Sequence, residues 1–200
     1  IAFAGDGATA NCGFQSLTGA AERGEHMLYI CYDNEGYMNT GFQRSSTTTK
    51  GSKTSTTPVG SVLKGKSQSK KYMPLIMTMH NIEYMATLSP SNMKDFVEKI
   101  EKGLEASKRG FAYLHIFSPC PTGWGYPSNL GIEVARKAVK SNFFPLIEFE
   151  NGKLKIVRHE YEGRDLFEGE GNEVQSFNKE LFIQELNNIT QQKVIEDANE

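Results

Sequence analysis

Three apolar runs, each stopping at a turn-forming string, constrain this chain most. Residues 1–4 (IAFA) end at Gly5-Asp6-Gly7, and residues 27–32 (MLYICY) end at Asp33-Asn34-Glu35-Gly36. Residues 111–117 (FAYLHIF) end at Ser118-Pro119-Cys120-Pro121-Thr122-Gly123-Trp124. Such short runs, apolar throughout rather than alternating, read as buried strands. Between the first two, residues 13–23 (GFQSLTGAAER) read as a helix closed by Gly24. A strand–helix–strand unit gives parallel strands joined by a right-handed crossover. In open parallel sheets, ligands sit at the carboxyl ends of the strands. The turns 5–7 and 33–36 both fall at such ends, so they are expected near each other.

Further along, residues 74–81 read as a short helix with Pro74 in its first turn, and residues 84–88 as a strand. Ser89-Pro90-Ser91 is expected to cap a helix whose apolar stripe is Met93, Phe96, Val97, Ile100 and Leu104. Residues 131–140 read as another helix. Residues 146–150 and 153–157 flank Asn151-Gly152, a strong hairpin signal. The expected domain runs over 1–165. A polar tail follows over 166–200, helical near 178–189. The first residue, Ile1, is not Met, which leads to the expectation that the domain lacks its N-terminal part.

Composition narrows the function classes. The 200 residues are 38% hydrophobic and 23% charged, as in a soluble globular chain. No apolar run approaches the ~20 residues of a membrane helix. A net charge of −2 offers no basic field for nucleic acid. Cys12, Cys31 and Cys120 are odd in number, far apart and without zinc or redox spacing, which suits a reducing, cytoplasmic setting. Residues 42–72 stand out: 13 of the 31 are Ser or Thr, seven are Lys or Arg, and none is acidic. By composition this is a solvated loop, although its length also suits a lid or docking segment.

The chemistry concentrates at the two turns. Gly5 and Gly7 let the backbone turn sharply beside Asp6 and approach a ligand. Amides at the following helix start favour phosphate. Asp6 suits a hard divalent cation; Asn34 can add an amide oxygen and Gly36 a backbone carbonyl. One carboxylate, one amide and one carbonyl leave room for phosphate oxygens and water, as Mg²⁺ prefers. A dinucleotide fingerprint does not fit, because GDGATANCG lacks the G-x-G-x-x-G spacing.

Gly5-Asp6-Gly7 followed by Asn34 resembles the thiamine diphosphate-binding motif. The string Tyr32-Asp33-Asn34-Glu35-Gly36-Tyr37-Met38-Asn39-Thr40-Gly41-Phe42-Gln43, with Thr57-Pro58 and the Ser118–Trp124 string, resembles the 2-oxoacid:ferredoxin oxidoreductase family. Within it, the match is to the pyruvate:ferredoxin oxidoreductase (pyruvate synthase) β-subunit type over residues 1 to about 157. The resemblance implies an α/β fold, a doubly wound, mostly parallel sheet with helices on both faces. It implies thiamine diphosphate held through Mg²⁺ on Asp6, Asn34 and Gly36, with Gly5, Gly7 and Thr40 around the cofactor. Asn39 would face the thiazolium and substrate, and Gln43 would belong to the same wall. Cys120 would be one ligand of a 4Fe–4S cluster whose other ligands lie upstream. The implied partners are the α subunit, with γ or δ subunits, together with ferredoxin, coenzyme A and a small 2-oxoacid.

Other residues read as structural. Cys12 and Cys31 suit packing, His80 and His115 suit satisfied structural roles, and His26 and His159 suit solvent. Trp124 suits either shielding a cluster or packing. Three rival functions remain: a related family member acting on another small 2-oxoacid such as oxalate; a non-redox thiamine diphosphate enzyme, against which Cys120 argues; and a non-catalytic module, against which the Asp6/Asn34 pair argues.

Overall fold

A computed structural model describes residues 1–157 of the protein. His159, the boundary at 165 and the tail with its expected helix near 178–189 lie outside the described residues. The elements are β1 (Ala2–Gly5), a π-helical segment (Ala8–Cys12), α1 (Phe14–Glu22) and β2 (Met27–Asp33). Then come α2 (Met73–Thr78), β3 (Tyr84–Leu88), α3 (Met93–Ala106), β4 (Phe111–Phe117), α4 (Pro121–Trp124), α5 (Gly131–Lys140), β5 (Leu146–Glu150) and β6 (Lys153–Val157).

The strands form one six-stranded sheet in the order β1-β2-β4-β3-β5-β6. The first four are mutually parallel, with Gly5 opposite Tyr32 and Asp33 opposite Phe117. Strand β5 runs antiparallel to β3, and β6 returns antiparallel to β5. The β5–β6 turn uses Asn151 and Gly152, both at positive φ (52° and 74°), as a type I′ hairpin requires.

Apolar side chains cover both faces of the sheet. On one face, Cys31, Met85, Phe111 and Tyr113 pack with Leu17 and Ala21 of α1 and Met73 and Met77 of α2. On the other, Leu28, Ile30, Ala86 and Leu114 pack with Phe96, Ile100 and Ala106 of α3. A third cluster caps the carboxyl ends, where Phe117 stacks on Phe144 and meets Trp124 and Phe143 edge-on. These layers are the expected parallel α/β arrangement with helices on both faces.

Helix α3 departs from its expected form in two ways. Asn92, not the Ser-Pro-Ser string, occupies the N-cap, while Ser91 spends its hydroxyl on the Asn92 side chain at 2.7 Å. The helix is also rotated from the expected stripe: Lys99, Gly103 and Ala106 are buried, whereas Met93 and Val97 are 58% and 47% exposed. Two contacts explain the rotation. A Cβ on Gly103 would lie 3.2 Å from Leu28 and 3.3 Å from Leu114, so the glycine admits the sheet surface closely. Lys99 Nζ reaches the Thr87 carbonyl at 3.1 Å and Asp95 at 2.8 Å, so its charge is matched where it is buried. Helix α2 also ends earlier than expected, leaving His80 in the turn beyond it.

Phe117 is the centre of the aromatic cap, 1% exposed. Phe117→Ala is expected to remove about 3–5 kcal/mol of unfolding free energy, read from urea denaturation; a loss below about 1 kcal/mol would show that the cap does not hold the strand ends.

Candidate functional site

The parallel pairing of β1 with β2 brings the Gly5–Gly7 and Asp33–Gly36 turns side by side. Both turns carry buried acids: Asp6, Asp33 and Glu35 are 1%, 4% and 3% exposed. Carboxylates this enclosed need donors, and residues 45–49 (SSTTT) supply them.

Thr47 sits between the turns, its hydroxyl 2.8 Å from Asp6 Oδ2 and 3.0 Å from Asp33 Oδ1. Ser45 donates to Asp6 Oδ2 as well. Ser46 exchanges two hydrogen bonds with Asn11, at 2.8 and 2.9 Å. Thr48 donates to the Glu35 carbonyl at 2.6 Å, and Thr49 binds the Glu35 carboxylate through both its amide (3.1 Å) and its hydroxyl (2.9 Å). Four of the five consecutive hydroxyls, those of Ser45, Thr47, Thr48 and Thr49, thus face the strand-end turns, while Ser46 faces the π-helical segment. The reading of this part of the loop as solvated is corrected: Ser45, Thr47 and Thr48 are at most 1% exposed. Composition misses this because a Ser/Thr run satisfies water and buried carboxylates equally well.

Three of the loop's seven cations also turn inward. Lys66, 1% exposed, places its ammonium among the carbonyls of Ser46, Thr48 and Ser69. Lys70 pairs with Glu35 at 3.2 Å, and Lys71 binds the Ala10 carbonyl at 2.7 Å.

Asp33 is matched from below. His115 Nε2 lies 2.9 Å from Asp33 Oδ2, and its Nδ1 lies 2.7 Å from the Tyr113 hydroxyl, so the histidine is satisfied on both sides as expected. Burial alone would raise the Asp33 carboxyl, but the bond and charge of His115, with Lys70, hold it below its ordinary range. Burial disfavours charge on His115; Cys31 and Asp33 outweigh it and keep the ring above its ordinary range. Burial pushes Glu35 up, against the pull of Lys70. Asp6 has no such cation. Burial first, and then the charge of Asp33, push it up to about 7.

The expected site residues are placed as follows. Gly5 and Gly7 flank Asp6, but neither has positive φ. They are needed for space instead: a Cβ on Gly7 would lie 2.4 Å from the Tyr37 ring, whose hydroxyl donates to the Gly7 carbonyl at 3.1 Å. Asn34 accepts from the Gly36 amide at 3.3 Å, and its carbonyl receives the Trp124 indole at 3.0 Å. Trp124 therefore packs against Phe117 and fixes the second turn. Gly36 is buried against the Phe42 ring, which leaves no room for a side chain. Asn39 and Thr40 are exposed on a loop closed by the Tyr37–Gln43 bridge, where the Gln43 amide donates to the Thr40 carbonyl. Cys120 is half-buried in the aromatic cluster with Trp124, whose indole bonds the Asn34 carbonyl. Asp33, Glu35, His115 and residues 45–49 were not among the expected site residues. The one sequence signal for them is the hydroxyl run following the acidic turn.

The model of the thiamine pyrophosphate enzyme, C-terminal TPP binding domain, matches residues 1–116. The chain belongs to this family. Within the thiamine pyrophosphate enzymes, it is 58% identical over 149 residues to the NADH-dependent phenylglyoxylate dehydrogenase subunit beta of Aromatoleum evansii, covering 74% of this chain and 33% of that protein. It is 50% identical over 157 residues to the pyruvate synthase subunit PorB of Methanocaldococcus jannaschii, covering 78% of this chain and 52% of that protein. The chain thus spans from a third to about half the length of these relatives. Among solved structures it is similar to the 2-oxoglutarate:ferredoxin oxidoreductase of Magnetococcus marinus, with a TM-score of 0.52 and 26% identity, over 66% of this chain and 50% of that one.

The donor set of this thiamine pyrophosphate domain fits Mg²⁺. Asp6 Oδ1 accepts no hydrogen bond among the described residues, and neither does the Gly36 carbonyl. Asn34 Oδ1 carries only its long bond from Gly36. These are three hard oxygens with spare lone pairs, one of them on a buried carboxylate that pairs with no cation among the described residues. A 4Fe–4S cluster is not complete here. Among the described residues no three His, Cys, Asp or Glu side chains converge on a metal position, so Cys120 would need thiolates from elsewhere.

The raised Asp6 has a consequence for the metal-free chain. The folded state holds this proton more tightly than the unfolded one, so stability falls as pH rises from about 4 to about 7. Urea denaturation of wild type and Asp6→Asn at pH 5 and pH 8 is expected to show a wild-type loss larger by roughly 3 kcal/mol. Equal pH dependence in the two proteins would contradict the assignment.

Proposed function

We propose that this chain is the Mg²⁺–thiamine diphosphate-binding part of a cytoplasmic 2-oxoacid:ferredoxin oxidoreductase. The reaction is the reversible oxidative decarboxylation of pyruvate with coenzyme A to acetyl-CoA and CO₂. Its electrons pass through 4Fe–4S clusters to ferredoxin. The observation that supports the reading is the pair of adjacent strand-end turns that carry Asp6, Asn34 and Gly36, in a family named for this cofactor.

When bound, thiamine diphosphate supplies the carbanion stabilisation that decarboxylation of a 2-oxoacid needs. The chain's own residues bind and position. Asp6, Asn34 and the Gly36 carbonyl would hold Mg²⁺, which would supply positive charge for the diphosphate. Gly5 and Gly7 allow the turn to lie close to it. Asn39 and Thr40 stand exposed on a tied loop, free to meet the reacting end of the cofactor and the substrate. Thr47 and Ser45 orient the carboxylate of Asp6 without occupying its second oxygen. Cys120 would supply one thiolate if a 4Fe–4S cluster is completed here by ligands from elsewhere.

Assembly with α and γ or δ subunits is supported by the surface. Met93 and Val97 on α3 are 58% and 47% exposed. Among the described residues no helix is long and apolar enough to cross a membrane. An aromatic 2-oxoacid is the second reading for the substrate, favoured by the 58% identity to a phenylglyoxylate dehydrogenase subunit.

Calorimetric titration of the assembled complex with thiamine diphosphate and Mg²⁺ tests the site. Wild type is expected to bind and Asp6→Ala to lose detectable binding; equal binding by both refutes it. Residues 1–200 alone are expected to show no decarboxylation of pyruvate or phenylglyoxylate, and CO₂ release by the isolated chain would remove the need for a partner. Iron content and a visible absorption band in the complex separate the redox reading from a non-redox thiamine enzyme.

A further inference from the structure

Glu35 lies between Asn34 and Gly36, the two second-turn residues assigned to the metal, yet it points away from that role. Its backbone adopts φ = 62°, a left-handed conformation that is unfavourable for a side chain with a Cβ by roughly 1–2 kcal/mol. Glycine avoids that penalty, so something must favour glutamate here. The carboxylate supplies the reason. It is buried, bonded through one oxygen to the Thr49 amide and through the other to the Thr49 hydroxyl and the Lys70 ammonium. The Glu35 carbonyl is held separately by Thr48. Lys70 is anchored in turn against the Phe143 ring, its ammonium 5.1 Å from the centroid. Every polar group that touches Glu35 comes from the loop or from its own turn. The Glu35 amide also donates to Asp33 Oδ1 at 2.8 Å, the carboxylate that shares the Thr47 hydroxyl with Asp6.

We infer that Glu35 is a positioning residue: its clamp to Thr49 and Lys70 holds the backbone in the left-handed turn that aims the Asn34 side chain and the Gly36 carbonyl at one cation. The inference rests on the metal reading of Asp6, Asn34 and Gly36. The strain at residue 35 is retained because relaxing it swings the two flanking oxygens apart. Strained residues of this kind cluster at ligand sites where the surroundings over-determine them. Partners behind the ligands tune metal affinity comparably to the ligands themselves.

The test measures metal affinity rather than turnover. Mn²⁺ replaces Mg²⁺, and its binding to the complete complex with thiamine diphosphate is followed by electron paramagnetic resonance. Two variants break the clamp differently. Glu35→Gly removes the carboxylate while permitting the same φ. Lys70→Met removes the ammonium while keeping an unbranched apolar stem against Phe143. Each is expected to weaken Mn²⁺ binding by about 10–100-fold, with saturating Mn²⁺ restoring thiamine diphosphate binding. Glu35→Gly bound to Mn²⁺ as tightly as wild type would overturn the inference, because glycine would then suffice. If Glu35→Gly does not assemble, Lys70→Met decides alone, and wild-type affinity in that variant overturns it equally. Absence of Mn²⁺ binding by wild type would instead defeat the metal reading, and this inference with it.

Discussion

The site depends on one shared hydroxyl. Thr47 donates to two buried carboxylates, Asp6 at the end of β1 and Asp33 at the end of β2. A hydroxyl has a single proton, so it cannot satisfy both fully at once. The surroundings resolve the conflict unequally. His115 and Lys70 hold Asp33 charged, while Asp6 keeps only hydroxyl donors and stays high. That imbalance leaves Asp6 as the group most in need of a cation. Replacing a proton with a divalent ion would relieve the burial penalty and the repulsion from Asp33 together.

The rest of the fold prepares that imbalance. The parallel sheet puts β1 and β2 side by side with their ends level, which no hairpin connection would do. The aromatic cap around Phe117 and Trp124 then supports the second turn, where the Trp124 indole holds the Asn34 carbonyl. The long loop completes the enclosure with the hydroxyls of Ser45, Thr47, Thr48 and Thr49 and with three inward lysines. Lys66 is the clearest case: an ammonium buried among backbone carbonyls ties the loop to itself.

Legibility in the sequence differed by element for physical reasons. Strands β2 and β4 were legible because continuous apolar runs mark strands covered on both faces, and β1 from the same kind of run although its Phe3 is exposed. The β5–β6 hairpin was legible because Asn151-Gly152 fits a turn with two positive φ values. The adjacency of the two turns also followed, since parallel strands joined by a crossover present the same ends. The buried face of α3 did not follow, because a helix wheel weighs side-chain polarity and cannot see that Lys99 finds its partners inside. The loop was misread for the opposite reason, its polarity being taken for contact with water.

By itself, the sequence determined that strand ends bearing Asp6 and Asn34 would meet, and that short glycine turns would carry the chemistry. Those are local consequences of residue type and period. Only the tertiary structure decided which polar groups face one another across 14 to 82 residues, as in Thr49 with Glu35 and His115 with Asp33. It also decided what Gly7 is for, since the Tyr37 ring that fills its place arrives from 30 residues away. Burial assigns these partners: a buried charge must be matched by whichever donor the packed chain brings near, and no local pattern encodes that donor.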